Sequence, residues 1–194
     1  MTPDRKEQRM HTFSKMKLQG LLIAVLAVAF VISPSMVRSQ DVANGSATAT
    51  LLAALVVAAP NALAFGNVYQ GVAKVVPNND ANAGVFTIAG AASAQLSIYM
   101  QLPDYLAGGV GNDRMVVAFS TTDATVDSTV NIDPTTPGGG GWPNTNPHAF
   151  PTATCLGGGG HAAIFLGGKV IPSVNQTAGA YQADIVLTVS YTGS

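Results

Sequence analysis

Very little in this chain could hold a fold together covalently. Its 194 residues include one cysteine, Cys155, so no disulfide can close within the chain. Stability has to come from an apolar core and from backbone hydrogen bonding. Charge is scarce as well. Charged residues make up 10% of the sequence, and glutamate is absent after Glu7. Beyond residue 39 the only cations are Lys74, Arg114 and Lys169, against eight aspartates, a net charge of −5. Three scattered cations cannot neutralise a track of phosphates, which excludes nucleic acid as a partner. Low charge together with 47% apolar content also excludes a disordered chain. There is one tryptophan, Trp142, and no amphipathic helical period after the N-terminal region.

The sequence opens with an export signal. Arg5, Lys6, Arg9, Lys15 and Lys17 precede an apolar run from Leu18 to Ile32, which Ser33, Pro34 and Ser35 break. Val37 and Ser39 are small residues placed for cleavage before Gln40. That is the form of a secretory signal peptide over residues 1–39. The run is short of the ~20 apolar residues that a membrane-spanning helix needs. Contact with a membrane is therefore expected only through this segment, if it stays uncleaved. The remaining Gln40–Ser194 is long enough for a single domain with a core of its own.

Twenty-one glycines and eleven prolines punctuate the chain into short extended pieces. The clearest is the last. From Tyr181 to Tyr191, Tyr181, Ala183, Ile185, Leu187, Val189 and Tyr191 share one side of an extended chain. Gln182, Asp184, Thr188 and Ser190 share the other, with Val186 the one apolar exception, so the strand has a dry face and a wet face. Gln95 to Leu102 alternates as cleanly, with Leu96, Ile98, Met100 and Leu102 directed inward. Further strands are predicted at Ala47–Ala58, Leu63–Val68, Val72–Val76, Val85–Ala89, Met115–Ser120, around Val126–Ile132, and across Ala162–Ile171. Asp133–Gly160 holds five prolines and two four-glycine runs and is predicted to be one long loop. The expectation is an all-β protein: an Ig-like antiparallel sandwich of eight or nine strands, residues 40–194, behind a signal helix.

Several residues carry chemistry worth weighing. His148, Cys155 and His161 are the soft metal ligands nearest one another, but no methionine follows and the glycine-rich spacing is loose for a structural metal site. Asp123, Asp127 and Asp133 stand four and six residues apart, whereas calcium loops place oxygens at every second position. The glycine runs lack the lysine and hydroxyl residue of a phosphate loop. No serine sits in a nucleophile elbow or beside a base. No metal, no cofactor and no enzymatic activity are expected. Trp142 and Phe150, with Tyr99 and Tyr105, are candidates for a ligand platform; the competing reading is that Trp142 anchors the long loop to the sandwich. As the odd cysteine of an exported chain, Cys155 is either a small half-buried hydrophobe or a cross-chain disulfide partner.

Some phrases are familiar in their order. Ala47-Thr48-Ala49-Thr50 leads to Leu63-Ala64-Phe65-Gly66-Asn67-Val68; Phe86-Thr87-Ile88-Ala89-Gly90 comes before Leu102-Pro103; Phe165-Leu166-Gly167-Gly168 comes before Asn175-Gln176-Thr177-Ala178-Gly179-Ala180-Tyr181. Together they resemble a family of secreted bacterial β-sandwich proteins, domain of unknown function 4402, over most of Ala47 to Tyr191. The terminal stretch, with Gly179 twelve residues before Tyr191, is similar to the end of chaperone–usher pilins and spore-coat-U type domains. In pilins that strand borders an open groove, which a neighbour's N-terminal strand fills. This chain departs from that pattern in having Thr192-Gly193-Ser194 beyond the aromatic and few residues ahead of the predicted first strand.

The resemblance implies a secreted structural protein of the periplasm or bacterial cell surface, a pilus-like or coat subunit. Its partner would be itself or another surface protein, engaged by edge-strand pairing. Tyr181, Ile185, Leu187, Val189 and Tyr191 would carry that pairing in the last strand, and Leu51, Leu52, Leu55 and Val57 in the first. The alternative is an adhesin-like or carbohydrate-binding module using the Trp142–Phe150 loop.

Overall fold

The structure is a computed structural model that describes residues 43–108, 113–138, 142–152 and 154–192. Residues 1–39, expected to be a signal peptide, lie outside the described residues. The chain divides into two units at Thr48 and Ala49, and of the first unit only residues 43–48 are described, as exposed chain without regular structure. No helix among the described residues is long and apolar enough to cross a membrane.

The second unit is all β. In chain order its strands are β1 (Val56–Asn61), β2 (Lys74–Val76), β3 (Gly84–Ala89), β4 (Gln95–Gln101), β5 (Tyr105–Gly108), β6 (Asp113–Ala118) and β7 (Ala124–Asp127). They continue as β8 (Trp142–Thr145), β9 (Thr154–Cys155), β10 (His161–Leu166), β11 (Gly168–Ile171), β12 (Tyr181–Gln182) and β13 (Val186–Tyr191). They form three antiparallel sheets in the orders β1-β3-β10-β7-β8, β12-β5-β6-β11-β2 and β13-β4-β9.

Alternation explains the layering. In β4 the side chains of Leu96, Ile98 and Met100 are buried while Gln95, Ser97, Tyr99 and Gln101 are exposed. Those three meet Phe86, Ile88, Ile164 and Val126 from the first sheet in the main core, joined by Leu187, Val189 and Tyr191 of β13. A second cluster forms beneath the β5–β6–β11 sheet from Met115, Val117 and Val170, with Phe65, Leu106 and Tyr181 against it. Phe119 touches both clusters and links them. The first and third sheets pack face to face through the main core as the two layers of a sandwich, and the second sheet carries its own cluster.

Gly167 is where the chain changes sheet, between β10 in the first and β11 in the second. A Cβ there would lie 2.5 Å from the Val76 carbonyl oxygen and 2.6 Å from the Asn78 nitrogen, so only glycine lets the strands pass so closely.

Several sequence expectations are corrected. There are thirteen strands among the described residues, not eight or nine. The first begins at Val56 rather than Ala47 and runs through Pro60-Asn61, which had the composition of a closing turn. Leu63–Val68 is not a strand: Gly66 takes φ +60, which breaks extension, although Phe65 still packs inward. Val130 and Ile132 are exposed and outside any strand. Residues 133–160 are not one loop, because β8 and β9 lie within them and Phe150 and Leu156 are buried in the main core. The terminal strand is broken into β12 and β13, in different sheets.

Candidate strand-pairing site

Six strands form the edges of the three sheets, and five are ill suited to accept another strand. In β1, Ala58 pairs with Thr87 and Asn61 with Val85, so three steps on one strand face two on its partner. That extra residue is a bulge, and Pro60 sits in it with no N–H to offer. At the opposite edge of the same sheet β8 repeats the device. Ala124 pairs with Thr145 and Val126 with Trp142, leaving an extra residue at Pro143-Asn144, with Asn144 at φ +51. Strand β2 has three residues, one of them Lys74, and β9 and β12 have two each. Strand β13 alone is a regular six-residue edge with no proline, glycine, charge or bulge, in unbroken register with β4 from Val186–Gln101 to Tyr191–Leu96.

Beside the start of this terminal stretch lies a groove of about 970 Å³. One wall is segment 62–69, outside every ladder, and the other is segment 179–185. Its floor is apolar: Leu106, Met115, Val117, Phe119 and Val170. Met115 and Val117 reach it because β6 alternates, with Arg114, Val116 and Ala118 turned to the other face.

A polar network fixes the upper wall. The Tyr181 hydroxyl lies 2.8 Å from Asp113 Oδ2 and 2.7 Å from the Thr177 carbonyl oxygen, and accepts a hydrogen bond from Gln176 Nε2 at 2.9 Å. The Thr177 N–H also donates to Asp113 Oδ2. Gln176, 4% exposed, uses its Oε1 to accept from Ser173 N–H and its Nε2 to reach the Arg114 carbonyl. These bonds, the Thr177 N–H first, stabilise the Asp113 carboxylate and hold its pKa down to about 2. Burial, and then the neighbouring carboxylate, raise the Tyr181 phenol above its ordinary value.

At the other end Tyr191 is a clamp. Its hydroxyl donates to the Ala53 carbonyl at 2.6 Å and accepts the Ala91 N–H at 2.8 Å. Leu55 packs on the main core next to it. The described chain before Ala53, residues 43–52, is exposed and in no strand.

The sequence-predicted residues fall as follows. Tyr181, Ile185, Leu187, Val189 and Tyr191 share the half-buried side of the terminal stretch, while Ala183, expected with them, is exposed. Val57 pairs with Ile88 inside the chain's own sheet, Leu55 is in the core, and Leu51 and Leu52 lie outside any strand, Leu51 at 98% exposure. Trp142 packs half-buried on the main core and Phe150 is a buried member of it, so the two rings do not form an exposed platform. No three metal-ligating side chains gather among the described residues. His148 lies 3.2 Å from the Phe119 carbonyl, whereas Cys155 pairs with Gln95 and His161 with Ala89.

The Asp127 carboxylate is buried and accepts from Thr129 N–H and Oγ1, Gly138 N–H and Asn131 Nδ2. Burial pushes its pKa up, but those donors together outweigh burial and leave it lowered. It ties segment 129–138 to β7. Sequence reasoning missed Asp113, Gln176 and the groove floor. The alternation Arg114-Met115-Val116-Val117 was the available signal for the floor, but a nearly unbroken apolar run obscured it.

No family model matches this chain, and no match emerges among curated proteins or among solved structures.

Proposed function

We propose that the protein is an exported, non-enzymatic structural subunit of the bacterial surface that assembles by strand addition. An extended segment of a second copy lies along the free edge of β13, continues past residues 179–185, and sets alternate side chains into the groove. The observation that carries this reading is the contrast between edges. Both edges of the first sheet are closed by proline-bearing bulges, while β13 is left regular, uncharged and unpaired beside an apolar groove.

The segment that fits is the exposed arm, residues 43–52. Ala47, Ala49 and Leu51 alternate with Thr48 and Thr50, an apolar face against a polar one. Because the first strand starts at Val56 and the Tyr191 clamp holds Ala53, these ten described residues are left for a neighbour. The likeness to pilins and to domain of unknown function 4402 supports the same reading, as does the signal segment.

The test is assembly of the purified protein, followed by sedimentation at rising concentration. Wild type forms concentration-dependent oligomers, Leu51→Asp abolishes them without lowering Tm, and a synthetic peptide of residues 43–52 competes. A chain that stays monomeric at every concentration, or oligomers indifferent to Leu51→Asp and to the peptide, would falsify the proposal.

A further inference from the structure

Apart from Gln182, which also lines the groove wall, the outward face of the β12-β5-β6-β11-β2 sheet plays no part in the groove or the core. Register and alternation place nine side chains on it. Gln182 pairs with Ala107, which pairs with Arg114; Tyr105 pairs with Val116, which pairs with Ile171; Ala118 pairs with Lys169, which pairs with Val75. Tyr105, Val116, Ile171 and Val75 are 40–57% exposed, a large share for apolar residues of which the first three lie on interior strands. Arg114 lies over the Tyr105 ring, 5.8 Å from its centroid, and Lys169 stands on the far side of the apolar row.

The charge on this face is unlike that of the rest of the chain. Two of the three cations beyond residue 39 are here, and none of the nine positions is a carboxylate, although aspartates outnumber cations eight to three. Five of those eight aspartates are engaged elsewhere. Asp80, Asp113, Asp123, Asp127 and Asp133 each accept backbone N–H groups in turns and loops. No interaction within the described chain neutralises Lys169, and Arg114 has only the ring beneath it.

We infer that this face binds an acidic polysaccharide. Its aliphatic side chains, Val116, Ile171 and Val75, offer apolar surface to the faces of pyranose rings, and Arg114 and Lys169 flank them to pair with uronate carboxylates. The alternatives fit less well. Two cations are too few for a nucleic acid track or for an anionic bilayer, where each basic residue adds only a little binding. Nine positions are also few beside the roughly 20–30 residues a side of an ordinary stable protein interface. Binding by one copy is weak and salt-sensitive, and copies held together bind with higher avidity. The face acts in a single copy, so this inference stands or falls separately from strand addition.

The probe is immobilised polygalacturonate, with neutral dextran as reference, at protein concentrations where the chain is monomeric. At low salt wild type is retarded on polygalacturonate and not on dextran, and high salt releases it. The double variant Arg114→Gln/Lys169→Gln loses roughly tenfold in affinity, the change expected from two exposed ion pairs of ordinary strength. Lys74→Gln, on the groove side, leaves retention unchanged. Both variants replace exposed side chains only, and unchanged circular dichroism confirms that they fold. Absence of retention at low salt overturns the inference, as does equal retention of the double variant or an equal loss in Lys74→Gln. Stronger binding to phosphatidylglycerol vesicles than to polygalacturonate overturns it in favour of a lipid surface. Self-association that the double substitution abolishes overturns it in favour of a second copy.

Discussion

Asp113 shows how one carboxylate can hold a wall in place. Its pKa is depressed from an ordinary value of 3.8 to about 2 by the Thr177 and Tyr181 donors. A depressed folded-state pKa means that the stabilisation is fully present above pH 4 and is lost as pH falls towards 2. Asp127 and Asp133 are shifted in the same direction, so they add to the same acid limb. Acid titration followed by tryptophan fluorescence and circular dichroism should therefore show unfolding between pH 4 and 2, and Asp113→Asn should flatten the part of that limb due to the groove wall.

Asp127 is the more costly residue to lose. Removing its carboxylate strands the Thr129 and Gly138 N–H groups against a buried strand end, so Asp127→Ala should lower stability by about 3 kcal/mol in chemical denaturation. Tyr191→Phe removes one bond to Ala53, at the base of the arm, and one to the β3–β4 turn, and should cost about 1 kcal/mol. It should also move the first site of limited proteolysis from the arm towards Leu55.

Among the elements, the edges differ most in what they allow. Pro60 and Pro143 each sit where an extra residue bends the outermost strand of the first sheet. Replacing Pro60 with valine would restore an N–H and favour a flush edge. The expected outcome is increased non-specific association, seen as light scattering on standing, with wild-type Tm retained within a few degrees. The same two prolines explain much of what the sequence hid. In one dimension Pro60-Asn61 and Pro143 look like loop residues, because proline cannot donate to a ladder. That reasoning fails at an edge, where one side of the strand faces nothing. In contrast, β4 and β13 were legible residue by residue, since one face of each is dry and the other wet. The groove was not legible, because its two walls are 110 or more residues apart in the chain and only pairing through β5, β6 and β12 brings them together.

Across the molecule, cohesion depends on two layers sharing one chain rather than on any covalent tie. With Cys155 the only cysteine, reducing agent should leave the monomer's Tm unchanged, a result that thermal scans with and without reductant would check. Gly167→Ala should have the opposite effect. The added methyl would press on Val76 and Asn78 backbone atoms that cannot give way, at a cost of about 3 kcal/mol by chemical denaturation.

The passage of β10 into β11 through Gly167 has a mechanical corollary. A ribbon stitched into two sheets lets neither be peeled off by itself, since tugging one hauls on the ladders of the other. Strung along a fibre, such a body would spread tension through its whole cross-section and give way abruptly, by rupture instead of gradual fraying.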